Sequence, residues 1–210
     1  SIATIWKDRV AKHQEYTAQI PFSDFKVFDF ICQNVPKNSQ LQVSNSSAIR
    51  YLQLFDLDKS IQVFCNRGTS GIDGSTSTAI GAALATNLPT ILITGDISFL
   101  YDSNALWNNY IPKNFKIILL NNSGGGIFRI LPGHQETETF NRYFETSHQL
   151  NASHLAKMYG FDYFEANDEA TLQQQYKSFL NQNEKPSILE IFTPEKENNG
   201  ILLEFFRGLK

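Results

Sequence analysis

The chain has 210 residues and a formal net charge of −3, with 41% hydrophobic and 19% charged residues. That length suits one domain, or one domain with an appendage, and the apolar share supplies a real core, which excludes a disordered chain. The mild acidity gives no reason to expect a nucleic acid or an anionic membrane as partner, and no apolar run approaches the roughly 20 residues that span a bilayer.

The start, Ser1 to Asp8, has neither the charged nor the apolar region of a signal peptide. It also lacks an initiating Met, so the chain is expected to be cut from a longer one. Residues 1–35 are expected to be a helical segment or a linker from a preceding domain, and residues 36–210 a single domain. Within the first segment, Phe22 to Gln33 has apolar residues at helical spacing, with Ser23 or Asp24 as a possible cap. The two cysteines, Cys32 and Cys65, form no C-x-x-C pair. A disulfide framework or a zinc site is therefore not expected, and a reducing, cytoplasmic setting is.

Strand-like and helix-like segments then alternate. Leu41 to Val43 and Ile61 to Phe64 are short and rich in β-branched or aromatic residues. Ser75 to Thr86 is a helix of small residues that can pack close to a sheet. Thr90 to Thr94 and Lys116 to Leu120 are continuously apolar at their centres, as in strands buried on both faces of a parallel sheet. Gly124 to Thr146 reads as a long loop with a short helix, and loops of that length are usually functional. Asp168 to Asn181 is a helix with Leu172, Tyr176, Phe179 and Leu180 on one face, and Ser187 to Phe192 is a last strand. Repeated β-α units predict an α/β fold, a doubly wound parallel sheet with helices on both faces.

Ligands of such sheets bind beyond the carboxyl ends of the strands. Two strands end there in polar, glycine-bearing sequence: Gly95-Asp96-Ile97-Ser98 and Asn121-Asn122-Ser123-Gly124-Gly125-Gly126. Taken singly, each is most often just a turn. At the tips of neighbouring strands they become a set of one carboxylate, one amide oxygen and a backbone carbonyl. Such oxygens suit magnesium, which keeps its other octahedral positions for phosphate and water. Gly95, Gly124, Gly125 and Gly126 offer backbone N–H donors for a diphosphate, and Ser98 a hydroxyl. The four histidines, at 13, 134, 148 and 154, form no defensible ligand spacing or triad.

Gly-Asp followed at the next strand end by Asn-Asn resembles the signature of the thiamine-diphosphate-dependent enzymes. The third position of the usual Gly-Asp-Gly is Ile97 here. Ser46 to Arg50, Asn66 to Gly74, Gly95 to Asp102 and Asn121 to Pro132 resemble one branch of them, the 2-succinyl-5-enolpyruvyl-6-hydroxy-3-cyclohexene-1-carboxylate synthases of menaquinone biosynthesis, in which a non-glycine third position is normal. The resemblance is strong from Val43 to Gly133 and covers only the C-terminal third or so of that family's chain. It implies that residues 36–210 are the diphosphate-binding domain of a magnesium-dependent transferase. The family decarboxylates 2-oxoglutarate and adds the succinyl carbanion equivalent to isochorismate.

The roles carried over follow the matching positions. Asp96, Asn122 and the Gly124 carbonyl would hold magnesium. Gly95, Ser98 and Gly125 would lie along the diphosphate, and Ser46 would contact substrate or diphosphate. Ser70 and Ile72 would meet the aminopyrimidine end of the cofactor, Ile72 as the wedge that bends it. Arg50 and Arg67 would clamp substrate carboxylates bidentately, and Ile127 and Phe128 would wall the reacting carbons. No segment resembles the family's N-terminal pyrimidine domain, which carries an essential glutamate and usually comes from a second subunit. The chain alone is thus expected to lack meaningful synthase activity and to belong to a homo-oligomer. Two other readings stay open. One is another thiamine-diphosphate enzyme, of the acetolactate synthase or 2-oxoacid decarboxylase type. The other is a non-catalytic nucleotide-binding α/β domain, although Gly68 to Gly74 matches neither G-x-G-x-x-G nor a P-loop.

Overall fold

The computed structural model describes residues 2–131 and 133–208. Ser1, Leu209 and Lys210, at the outer limits of the two expected segments, and Pro132, at the end of the motif from Asn121, lie outside the described residues. Two helices come first, α1 (Ile2–Gln19) and α2 (Asp24–Asn34). Then follow β1 (Gln40–Val43), α3 (Ser47–Leu52), β2 (Gln62–Cys65), α4 (Ser75–Leu84), β3 (Thr90–Gly95), α5 (Asp96–Tyr101) and β4 (Lys116–Asn121). The last part holds α6 (Ser153–Tyr159), β5 (Asp162–Ala166), α7 (Glu169–Asn181), β6 (Ser187–Phe192) and α8 (Asn198–Gly208).

The six strands form one sheet in the order β2-β1-β3-β4-β6-β5, and every adjacent pair is parallel. The continuous apolar runs explain why β3, β4 and β6 lie inside it. Along β3, Ile91 and Ile93 join the core on one face while Leu92 joins the core on the other; along β4, Ile118 and Leu120 face one way and Ile117 and Leu119 the opposite way. Alternate side chains of a strand point to opposite faces, so a sheet covered on both sides needs apolar residues in both registers. Helix α2 seals one face with Phe25, Val27, Phe28 and Ile31, and Ala79 and Ile80 of α4 help seal the other. Ser23 caps α2, its side chain accepting from the Lys26 N–H, and Asp168 caps α7 in a capping box with Thr171.

Strand β5 has no counterpart among the sequence-predicted elements. Its residues Asp-Tyr-Phe-Glu-Ala are mostly half-buried, because β5 is an edge strand, and they carry no continuous apolar run. The stretch 124–146 holds a 3₁₀ turn, Gly126–Ile130, and a π-helical turn, Phe140–Glu145. Among the described residues no helix is long and apolar enough to cross a membrane.

Candidate functional site

The chain leaves β1 toward β2 on one side, while β3 lies on the other. A sheet that reverses its winding in this way opens a crevice at the carboxyl ends of those strands. A cavity of about 220 Å³ lies there. Gly95 pairs with Leu120 in the β3–β4 register, so Asp96 and Asn122 follow directly from neighbouring strand tips. Both line the cavity, together with Ser46, Ile72, Gly95, Ser98, Gly124, Gly125 and Phe128.

Asp96 is 4% exposed. Its Oδ1 accepts from the Ile97 N–H at 2.7 Å, and its Oδ2 accepts from the Gly124 N–H at 3.0 Å. The second bond ties the glycine run after β4 to the carboxylate after β3. His148 Nε2 lies 3.3 Å from the same Oδ2. Its Nδ1 accepts from the Leu150 N–H, so the ring proton is on Nε2, facing Asp96. Its contact with the Asp96 carboxylate raises the His148 ring above the usual imidazole range, against the desolvation that pulls it down.

Asn122 meets Asp24, the first residue of α2. Its Nδ2 donates to Asp24 Oδ2 at 2.9 Å, and Thr193 Oγ1 donates to Asp24 Oδ1 at 2.5 Å. The Asp24 N–H donates to Asn198 Oδ1 at 2.8 Å. Asp24 is 2% exposed, and burial pushes its carboxyl up to about 6 against the pull of the Thr193 and Asn122 hydrogen bonds. Asn122 Oδ1 accepts no hydrogen bond from the described residues.

The loop from Phe140 closes over the glycine run. The Gly125 N–H donates to the Glu145 carbonyl at 2.6 Å, and a Cβ on Gly124 (φ +153°) would stand 2.7 Å from that oxygen. Only glycine fits such an approach. Beneath it the Arg129 guanidinium holds the Glu145 carboxylate through Nε and Nη2, and Glu136 through Nη1. Ser46 and Ser123 also adopt positive φ, as does Thr146 on the cavity wall. Non-glycine residues in that region are costly and gather at functional sites.

The remaining expected residues are placed as follows. Ser98 Oγ donates to the Ile72 carbonyl at 2.5 Å, which joins two residues of the cavity wall. Arg67 Nη1 donates to Asn45 Oδ1 at 2.9 Å, and Asn45 Nδ2 holds the Asn66 and Gly71 carbonyls. Arg67 is thus anchored to a cavity residue without itself lining the cavity. Arg50 donates to the Ser46 carbonyl on the surface, and Ser70 Oγ donates to the Arg67 carbonyl. Arg50, Ser70 and Ile127 stay off the cavity wall.

Sequence reasoning missed Asp24, Asn45, His148 and Glu145. Asp24 reads locally as a helix cap, and a lone histidine or a loop glutamate carries no pattern. The deep burial of all but His148 is visible only in the fold.

The donor set fits the chemistry expected from the strand ends. A buried carboxylate, an amide oxygen without a donor and a glycine cradle that a Cβ would fill suit a hard cation and a phosphate ester. A family model described as "Thiamine pyrophosphate enzyme, C-terminal TPP binding domain" matches residues 45–191. Similar proteins include the 2-succinyl-5-enolpyruvyl-6-hydroxy-3-cyclohexene-1-carboxylate synthases of Flavobacterium johnsoniae, 64% identical over 99% of this chain, and Flavobacterium psychrophilum, 67% identical over 98%. That of Bacteroides fragilis is 41% identical over 91% of the chain. The chain spans only 38%, 37% and 35% of the length of these three relatives.

Proposed function

The chain belongs to the thiamine pyrophosphate enzymes, whose C-terminal TPP binding domain it carries, and on that premise we propose that it is the diphosphate- and magnesium-binding part of a 2-succinyl-5-enolpyruvyl-6-hydroxy-3-cyclohexene-1-carboxylate synthase. Such an enzyme decarboxylates 2-oxoglutarate and joins the succinyl unit to isochorismate in menaquinone biosynthesis. One observation carries the reading: Asp96 and Asn122 leave adjacent strand tips into one cavity floored by a glycine run.

Asp96, Asn122 and the Gly124 carbonyl would hold magnesium through oxygen alone. Gly95, Ser98 and Gly125 would lie along the diphosphate, with Ser46 at the same wall. The Gly125 N–H reaches it by releasing the Glu145 carbonyl, and the Ser98 hydroxyl by releasing Ile72. Ile72 and Ser70 would contact the aminopyrimidine end. When bound, thiamine diphosphate supplies the electron sink that decarboxylation needs. Arg67, steadied by Asn45, and Arg50 would receive substrate carboxylates, because guanidinium pairs with them bidentately. Phe128, on the cavity wall, would exclude water from the reacting carbons, and Ile127, off that wall in this structure, would have to turn toward them to join it.

In this reading an N-terminal pyrimidine domain completes the site, from a second copy in a homo-oligomer. The exposed Val63 and Phe64 on edge strand β2, and Trp107 and Tyr110, supply apolar surface for such contacts. The free Cys32 and Cys65 suit a reducing, cytoplasmic setting.

Calorimetry on the polypeptide that carries this domain tests the cofactor. Thiamine diphosphate with magnesium should bind, and a nicotinamide cofactor should not; tighter nicotinamide binding refutes the reading. Turnover with 2-oxoglutarate and isochorismate tests the rest. The 210-residue chain alone should be inactive, and activity near that of the longer enzyme refutes the shared site.

A further inference from the structure

We propose that Asp24 is a positioning residue for the metal site: by accepting from Asn122 Nδ2, it turns the Asn122 carboxamide so that its oxygen is presented to the cation. The inference rests on the proposed role of Asn122 as a magnesium ligand and adds a residue that makes no contact with the metal.

A carboxamide is nearly symmetric in shape. Sterically, Asn122 fits the cavity wall with either its oxygen or its NH₂ toward the site, but only the oxygen attracts a cation, and an NH₂ facing it is repulsive. Something must break the tie. An ionised carboxylate accepts and never donates, so the amide atom facing Asp24 has to be the nitrogen. The observed pair obeys this, with Nδ2 2.9 Å from Asp24 Oδ2. Asn122 Oδ1, left without a donor among the described residues, is the atom free for a ligand.

Asp24 lines the cavity, but both of its oxygens are engaged, one by Asn122 Nδ2 and the other by Thr193 Oγ1 at 2.5 Å, which suits an orienting group. Its backbone is fixed as well: the Asp24 N–H donates to Asn198 Oδ1, and Asn198 Nδ2 donates to the Pro194 carbonyl at 2.7 Å. A buried carboxylate with both oxygens and its backbone engaged is a rigid template. Partners that orient a ligand's side chain contribute about 10–100-fold to metal affinity.

The test uses the full polypeptide that carries this domain, with thiamine diphosphate present and Mn²⁺ as a paramagnetic probe for the magnesium site. Asp24→Leu keeps the shape and removes the acceptor. Asp24→Asn keeps one acceptor, which can face either Thr193 or Asn122. Mn²⁺ affinity should fall in the order wild type, Asn, Leu, with Leu about 10–100-fold below wild type. Turnover of the Leu variant should return to within about threefold of wild type at excess Mg²⁺, because the loss lies in metal half-saturation and not in kcat. Equal Mn²⁺ affinity in the three proteins overturns the inference, as does a kcat loss that excess metal does not recover. Should the Leu variant not fold, the Asn variant decides alone: about threefold weaker binding or more supports the inference, and unchanged binding overturns it. A wild type that binds neither thiamine diphosphate nor Mn²⁺ defeats the functional reading itself, and the inference with it.

Discussion

Gly125 donates its backbone N–H to the Glu145 carbonyl at 2.6 Å, so the loop after Phe140 is latched onto the glycine run that leaves β4. The same oxygen lies 2.7 Å from where a Cβ on Gly124 would stand, and Gly124 has a φ of +153°. Gly124→Ala therefore combines a forbidden backbone angle with a clash against main chain that cannot swing aside. It should lower stability by about 1–3 kcal/mol. Gly126 is the control. Its Cβ would meet only Asn122 Nδ2, at 3.6 Å, an ordinary contact. Gly126→Ala should change stability by less than about 1 kcal/mol. Denaturant unfolding of the two variants measures the contrast, and equal losses would show that the latch does not constrain the run.

The latch is braced from below by charge. Arg129 is 3% exposed and Glu145 is 1% exposed, and the guanidinium grips the carboxylate through two nitrogens. Removing one partner strands the other in a medium that cannot solvate it, at a cost of about 3–5 kcal/mol. For a chain of this size that corresponds to a fall in Tm of roughly 6–20 °C. Arg129→Met should show it in full, because it strands Glu145, whereas Glu145→Leu should cost less, because Arg129 keeps Glu136. The double variant should lose less than Arg129→Met, because no deeply buried charge remains unpaired. Thermal melts of the three variants decide the matter; additive losses would mean that the pair is not coupled.

The proposed substrate clamp can be tested apart from the proposed cofactor site. Arg67 is held by Asn45, whose own amide fixes the loop that Arg67 begins. Arg67→Ala should raise KM for 2-oxoglutarate about 10–100-fold, the value of a lost charge-assisted contact, and leave thiamine diphosphate affinity within about threefold. A pyruvate analogue, with no distal carboxylate, should be affected far less. Equal effects on both keto acids would move Arg67 out of the clamp.

The meeting of Asp96 and Asn122 at one cavity was legible in the sequence because each follows an apolar strand with an abrupt change to glycine and polar residues. In a parallel sheet such an ending marks a strand tip. Nothing in that pattern reveals which side chain holds another in place. Asp24 lies 98 positions from Asn122, next to the serine that caps α2. Locally it is an acidic residue in a first helical turn, where it is favourable anyway. The salt-bridged Arg129 and Glu145 were hidden for a related reason. Charges in a polar loop read as solvated, and only the turn at Phe140–Glu145 buries them. Strand β5 escaped because an edge strand has less need of apolar residues in both registers.

A lysine inside the sheet gives a test of stability away from the site. Lys116 opens β4, and its Nζ donates to the Gln182 carbonyl and, at 3.4 Å, to Ser187 Oγ. Desolvation pulls its ammonium down to about 8, opposed by the charge of Asp162. Between that value and the ordinary lysine range, near 10.5, the unfolded chain binds a proton that the folded chain does not. Unfolding then takes up protons, so this group makes stability rise as pH increases through the window. Below about 8 the lysine is charged in both states, and its burial penalty is present in full. Lys116→Met removes the titration, together with the ammonium that stands 5.1 Å from the centre of the Phe179 ring, and keeps an unbranched side chain. Tyr51, Tyr163 and Tyr176 are held above their ordinary range and act in the opposite direction at higher pH, but they are common to both proteins and cancel in the difference. The Tm of wild type minus that of the variant should therefore climb steadily from pH 8 to pH 10. A flat difference across that window would mean that Lys116 keeps its proton as readily in the folded chain as in water.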